Sequence, residues 1–280
     1  MEFKNLTSKI KIPVLGLGTW GIGGGLRVDH SRNKQEIEAI QYAVSCGITH
    51  LDTAEIYGGG QTEELIGVAI KGFDRKKIFV TTKVVPQHLF FQKQIFTAAK
   101  NSLRRLKTDY IDLYLIHWPA PFAPIKNVMA AFDKLVSEGL VKFIGVSNFS
   151  LKQLQNAQKY SKNKIVTNQV EYSLLHREPE NELLPFCQKE KIILTAYTPL
   201  ASGRLAQKAV PASRQGFTGL DKIAAKYNKT CAQVALRWLI EKPQVIVIPK
   251  SSKKEHIDEL LGSLGWKLAK EDIEYLDSEF

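Results

Sequence analysis

The chain has 280 residues, 44% hydrophobic and 24% charged, with Lys+Arg 39 against Asp+Glu 28 and a formal net charge of +11. That length and balance suit one well-buried globular domain and exclude a disulfide mini-protein, a disordered tail and a coiled coil. The basic residues are dispersed over segments 74–77, 104–107 and 250–254 without interleaved aromatics, so nucleic acid is not an expected partner.

No apolar window reaches a bilayer-spanning length, and the first residues lack the apolar core of a signal peptide. No membrane association is expected. Cys46, Cys187 and Cys231 lie far apart with no Cys-x-x-Cys pair. They are predicted to be reduced, small core residues of a cytoplasmic protein.

In chain order, residues 3–12 precede the first barrel strand and are predicted to form a hairpin across the bottom of the fold. Continuous apolar, β-branched runs follow at 14–18, 48–52, 78–84, 111–117, 143–146, 165–170, 192–197 and 245–249. A run that does not alternate reads as a parallel strand buried on both faces. Amphipathic stretches of helical length separate the runs, among them 33–46, 62–70, 151–160, 179–190 and 231–241, with Gly47, Gly72 and Gly139 as stops. Eight strands alternating with helices, at about 35 residues per unit, predict one α/β domain over residues 1–280, a (β/α)8 TIM barrel.

Polar residues then stand out. Asp52 ends ITHLD, Lys83 sits inside FVTTKVV and His117 ends LYLIH, each about one strand-plus-helix unit after the last. The shared phase puts all three at one rim, where barrels of this kind build their active sites. Asp52 and Lys83 on adjacent strands neutralise each other, which offsets the cost of burying either alone. Tyr57 lies in the glycine-rich loop EIYGGG that folds back over the rim. A neighbouring ammonium is expected to lower the phenol from about 10 toward the working range, giving an acid for carbonyl chemistry that His117 helps to orient. Taken singly, a strand-end histidine reads as core, a loop tyrosine as packing and an Asp–Lys pair as structural. Four complementary groups in register favour catalysis. His50 and Asp112 read as structural.

Other motifs are decoys. GLGTWG (16–21) matches G-x-G-x-x-G, but WGIGGGLR follows where a dinucleotide fold requires a helix, so these glycines are assigned to a rim loop. There is no His-x-His, His-Glu-x-x-His or Walker A pattern, and no metal is expected.

The chain resembles the aldo-keto reductase superfamily essentially end to end, through GLGTWGIGG, HLDTAEIYGGG, TTKV, DLYLIHWP, GVSNF, NQVEYS, AYTPLASG and IPKSS in order. The resemblance implies metal-independent reduction of aldehydes or ketones with NADP(H), NAD(H) remaining an alternative. It makes Tyr57 the general acid, tuned by Lys83 and Asp52, with His117 positioning the carbonyl. It assigns Ser147, Asn148 and Gln169 to the nicotinamide carboxamide, Tyr197 to its ring, and Leu200 and Ser202 to the pyrophosphate. Lys250 and Ser251 match positions for the adenosine 2′-phosphate, and Glu259 an adenine contact. Gly18, Thr19, Asp52, Thr198, Ser252 and His256 join them as cofactor positions. Trp20 and Trp118 become aromatic walls for the substrate, Trp20 also bordering the cofactor. Two positions depart from the family pattern, which commonly has arginine at His256 and asparagine at Leu260.

Two other functions compete: a barrel lyase with Lys83 as its Schiff-base lysine, which must be neutral, and a nucleotide-binding barrel that reports redox state to a partner. Segment 203–219 is long and aperiodic and is expected to cover the cofactor and gate its release. The proline-rich loop after His117 is short, and the sequence ends soon after the last helix. An open pocket is therefore expected, for small aldehydes, ketoacids, dicarbonyls or sugar aldehydes. A monomer is the default for this fold.

Overall fold

Eight parallel strands stand in chain order in the computed structural model, which describes residues 1–206 and 218–280. Residues 207–217, the greater part of the expected cofactor cover, lie outside the described residues. A hairpin of β1 (Phe3–Asn5) and β2 (Lys11–Pro13) precedes the barrel, as predicted. The barrel strands are β3 (Leu17–Gly18), β4 (His50–Asp52), β5 (Phe79–Val84), β6 (Ile111–Ile116), β7 (Val141–Ser147), β8 (Ile165–Glu171), β9 (Ile193–Tyr197) and β10 (Val245–Val247).

The seam between β10 and β3 is closed by isolated parallel bridges, Leu15 to Val247 and Gly18 to Lys250. There Gly16 and Gly18 donate their N–H groups to Val247 and Pro249 carbonyls, both at 2.9 Å. A Cβ on Gly18 would stand 2.5 Å from the Ile248 oxygen, so the close approach requires glycine. The seam strands are shorter than predicted because isolated pairs replace the continuous ladder here. Leu6 and Ile12 of the hairpin cluster with Leu113, Leu115, Val166, Ile193 and Ile246, inward residues of four strands, and so plug the barrel base.

Helices α1 (Asn33–Ser45), α2 (Gln61–Ala69), α3 (Gln92–Leu106), α4 (Ile125–Ser137), α5 (Leu151–Tyr160) and α6 (Leu183–Glu190) pack outside. They continue as α7 (Thr218–Tyr227), α8 (Cys231–Glu241), α9 (Lys254–Leu261) and α10 (Lys270–Glu279). Helices α5 and α8 have their predicted limits because each begins with a capping box, Ser150 with Gln153 and Thr230 with Gln233. The predicted 179–190 helix is split into a short turn, Glu178–Glu180, and α6. Pro185 has no N–H to give, so it suits the first turn of a helix beginning at Leu183 but not the middle of a longer one.

Gly47 and Gly139 take left-handed φ values of 94° and 73° as helix stops, whereas Gly72 closes a 3-10 turn without one. Cys187 and Cys231 are buried; Cys46, expected in the core, is exposed because it falls on the outer face where α1 ends. No helix among the described residues is long and apolar enough to cross a membrane.

Candidate active site

The C-terminal strand ends carry the polar residues that the sequence singles out. Asp52 closes β4 and Lys83 lies one residue before the end of β5, so their side chains meet. The Lys83 Nζ donates to Asp52 Oδ1 at 2.6 Å and to the Thr53 carbonyl at 2.8 Å. Asp52 Oδ2 accepts from Gln169 Nε2 at 2.7 Å, tying β4 to β8. Lys83 is 0% and Asp52 2% exposed, a depth that an unpaired charge does not tolerate.

Tyr57 opens a tight turn, Tyr57–Gly60, that lays its phenol over this pair. Gly58 there has a φ of 54°, and a Cβ would come within 2.6 Å of the Gly23 carbonyl oxygen. The phenol ring stands edge-on to Trp20 at 4.9 Å and to His117 at 5.8 Å, with Lys83 Nζ 5.1 Å from its centre. The structure thus brings Asp52, Tyr57, Lys83 and His117 together.

The electrostatics differ from expectation at one group. Burial raises the Tyr57 pKa above the ordinary phenol value, and Asp52 adds to this; Lys83 opposes both without overcoming them. The neighbouring ammonium is legible in the sequence, whereas the loss of water around the ring is not. Burial works to lower Lys83 too, yet Asp52 and Tyr57 together raise it above its usual value, so it stays charged. A permanently charged amine is unsuited to imine formation. Burial, with the Lys83 charge, pushes His117 down to about 3, leaving a neutral imidazole.

Ser147 ends β7 and Asn148 follows it toward the same rim. Ser147 Oγ donates to the Gln169 carbonyl at 2.9 Å. Asn148, at a φ of 61°, donates to Ser147 Oγ and to the His117 carbonyl, both at 3.0 Å, and accepts from the Tyr197 hydroxyl at 2.9 Å. Thr19, next to Gly18 at the seam, donates its Oγ1 to the Asp52 carbonyl at 2.8 Å. After β9, Thr198, Ala201 and Ser202 all take left-handed φ values around Leu200, three unfavourable conformations in one turn.

Lys250, Ser251 and Ser252 follow β10; Lys250 Nζ donates to Ser252 Oγ at 3.2 Å, while Ser251 is buried. One turn apart on α9 lie His256, exposed, and Glu259, half-buried. Leu260 is 4% exposed and packs into the core, so it occupies an inward position of α9 rather than the outer face. Trp20 and Trp118 are each 49% exposed at the mouth.

Glu55, which the sequence reading passed over, also lies here. Its carboxylate accepts from the Val85 N–H at 2.7 Å and meets His88 Nδ1 at 3.0 Å. An acid placed between two site residues, Asp52 and Tyr57, was the available signal.

The sequence profile of the Aldo/keto reductase family matches residues 14–279. Methylglyoxal reductase YeaE of Escherichia coli is 37% identical over 97% of this chain and 92% of its own length. Glyoxal reductase of Bacillus subtilis is 34% identical over 98% of this chain and 91% of its own length. Among solved structures, the thermostable aldo-keto reductase Tm1743, in complex with the inhibitor epalrestat, superposes with a TM-score of 0.95 at 43% identity, covering 100% of both chains. An aldo/keto reductase from Klebsiella pneumoniae, in complex with NADP and acetate, gives 0.84 at 36% identity over 96% of this chain and 91% of its own. A closed eight-strand barrel, its polar cluster at one rim and similarity running from end to end converge: the chain belongs to the aldo/keto reductase family.

Proposed function

We propose that this protein reduces aldehyde or ketone groups of small molecules with NADPH, Tyr57 protonating the carbonyl oxygen. The observation that carries this reading is the buried, charged Lys83–Asp52 pair beneath the Tyr57 phenol and beside an uncharged His117. When bound, the reduced nicotinamide supplies the hydride that the carbonyl carbon receives.

The residues present fit such a cofactor. The amides of Asn148 and Gln169 and the Ser147 hydroxyl suit a carboxamide, and the Tyr197 ring, tethered by its hydroxyl to Asn148, offers a fixed face for stacking. Gly18, Thr19 and Trp20 border the nicotinamide end. The turn containing Thr198, Leu200 and Ser202 takes the pyrophosphate. Lys250, Ser251 and Ser252 take a 2′-phosphate, with His256 and Glu259 beside the adenosine. The lysine favours NADPH, although the imidazole of His256 lacks the fork of donors with which a guanidinium grips a dianion.

Tyr57, held protonated by burial, releases its proton only as negative charge builds on the carbonyl oxygen. Lys83 stabilises the phenolate left behind, and Asp52 keeps Lys83 charged and in place. The neutral His117 donates a hydrogen bond to the same oxygen. Trp20 and Trp118 wall the entrance against water. The relatives named for methylglyoxal and glyoxal make small dicarbonyls the first substrates to try.

The test follows reduced-nicotinamide absorbance with NADPH and with NADH against a panel of dicarbonyls, aldehydes and ketones. Turnover with NADPH that Tyr57→Phe abolishes supports the reading. Tight cofactor binding without turnover on any carbonyl refutes it.

A further inference from the structure

Strand β5 continues as extended chain beyond the end of its neighbour β4. Past Asp52 the ladder goes on, with the Thr53 N–H donating to the Thr81 carbonyl at 2.8 Å and the Glu55 N–H to the Lys83 carbonyl at 3.2 Å. The next group on that edge of β5 is the Val85 N–H. No backbone carbonyl of the chain from β4 meets it, because that chain turns from Ala54 onward, the Tyr57 N–H donating to the Ala54 carbonyl at 3.0 Å.

The Glu55 side chain fills the gap, its Oε1 accepting from the Val85 N–H at 2.7 Å. On the other edge of β5 the His117 N–H donates to the Val84 carbonyl at 3.0 Å. The segment carrying Lys83 is therefore gripped from both sides, by the residue two before Tyr57 and by His117 itself. Glu55 is 8% exposed in its side chain, and His88, 43% exposed in its own, covers the carboxylate from the loop after β5. A carboxylate buried to this depth is costly unless hydrogen-bonded, so its placement reflects a specific requirement.

We propose that Glu55 is a positioning residue for proton transfer: its carboxylate stands in for a missing strand carbonyl and fixes the Tyr57 phenol over the Lys83 ammonium. The inference rests on Tyr57 being the proton donor. Glu55 spends its carboxylate on the Val85 N–H and His88 and acts by holding two loops in register. Without its oxygen the Val85 N–H is left unpaired and Tyr57 drifts relative to Lys83. Displacements of about 1 Å in such geometry cost on the order of 100-fold in rate.

Three variants test this. Glu55→Ala is expected to lower kcat by about ten- to hundred-fold with substrate KM and NADPH Kd within about two-fold. Glu55→Gln keeps an acceptor for Val85 and is expected to restore kcat to within about three-fold of wild type. His88→Ala, which leaves the Val85 bond intact, is expected to change kcat by no more than about three-fold. Amide hydrogen exchange supplies a readout independent of turnover: in Glu55→Ala, segment 54–60 exchanges faster while α8 and β7 do not. Wild-type kcat in Glu55→Ala overturns the proposal, as does Glu55→Gln as impaired as Glu55→Ala, or unchanged exchange in segment 54–60. Full turnover in Tyr57→Phe refutes the functional reading instead, and the exchange measurement still decides whether Glu55 holds the loop.

Discussion

The Lys83 ammonium and the Asp52 carboxylate meet at 2.6 Å, both almost wholly removed from solvent. Each makes the other's burial tolerable, so removing one partner is worse than removing both. Lys83→Met leaves Asp52 charged against Gln169 alone and is expected to destabilise the fold by about 3–5 kcal/mol. Adding Asp52→Asn to that variant removes the stranded charge and recovers part of the loss. Urea unfolding of both single variants and the double variant measures the coupling; strictly additive losses would contradict it.

Tyr57 sits above that pair with a phenol that burial keeps protonated. Tyr57→Phe removes the hydroxyl and leaves the ring that packs edge-on between Trp20 and His117. The expected result is a fall in kcat of about 10²–10⁴-fold, the usual contribution of a placed acid, with cofactor affinity unchanged. Steady-state kinetics together with fluorescence titration of NADPH separate the two quantities.

The barrel was legible because its strands are mostly continuous apolar runs, as at Val245–Val247, where all three residues are buried. Asp52, Lys83 and His117 were legible because a charged or imidazole group at the end of such a run conflicts with its surroundings. Helices α3 and α9 were harder to read. The buried stripe of α3 interrupts Ile95, Leu103 and Leu106 with the small residues Ala98, Ala99 and Ser102, and α9 buries only Ile257 and Leu260. The direction of the Tyr57 shift was hidden for another reason. It depends on how completely several loops enclose the ring, which no local pattern records. Glu55 escaped notice because its partners are a backbone N–H and a histidine 33 residues further on, neither of which a local side-chain pattern records.

On the proposed function, cofactor choice turns on the segment after β10. Lys250 is exposed, and burial of part of its stem with the nearby Arg32 charge lowers its pKa. Both cations favour a dianionic phosphate over a free hydroxyl. Lys250→Ala is expected to raise the NADPH KM by about ten-fold with little effect on NADH, one charge-assisted hydrogen bond being involved. His256→Arg should shift the preference the other way, toward NADPH. Equal changes with both cofactors in either variant would remove this segment from 2′-phosphate recognition.

His50 makes the fold sensitive to acid. Its ring lies fully buried two residues before Asp52, with Nε2 2.9 Å from Thr81 Oγ1 and Nδ1 pressed toward Gly16 without a hydrogen-bond partner. Burial pushes it down to about 4, the Lys83 charge adding to this while Asp52 and Asp112 resist. In the unfolded chain a histidine titrates near 6.5, so between about pH 6.5 and 4 the unfolded state binds a proton that the folded state refuses. Stability therefore rises with pH across that window, and this residue alone removes about 3 kcal/mol on acidification to pH 4. His50→Gln retains a polar partner for Thr81 but does not titrate. Urea unfolding from pH 4.5 to 7 is expected to show a shallower pH slope in His50→Gln than in wild type; identical slopes would mean that the buried imidazole takes up its proton without unfolding the barrel.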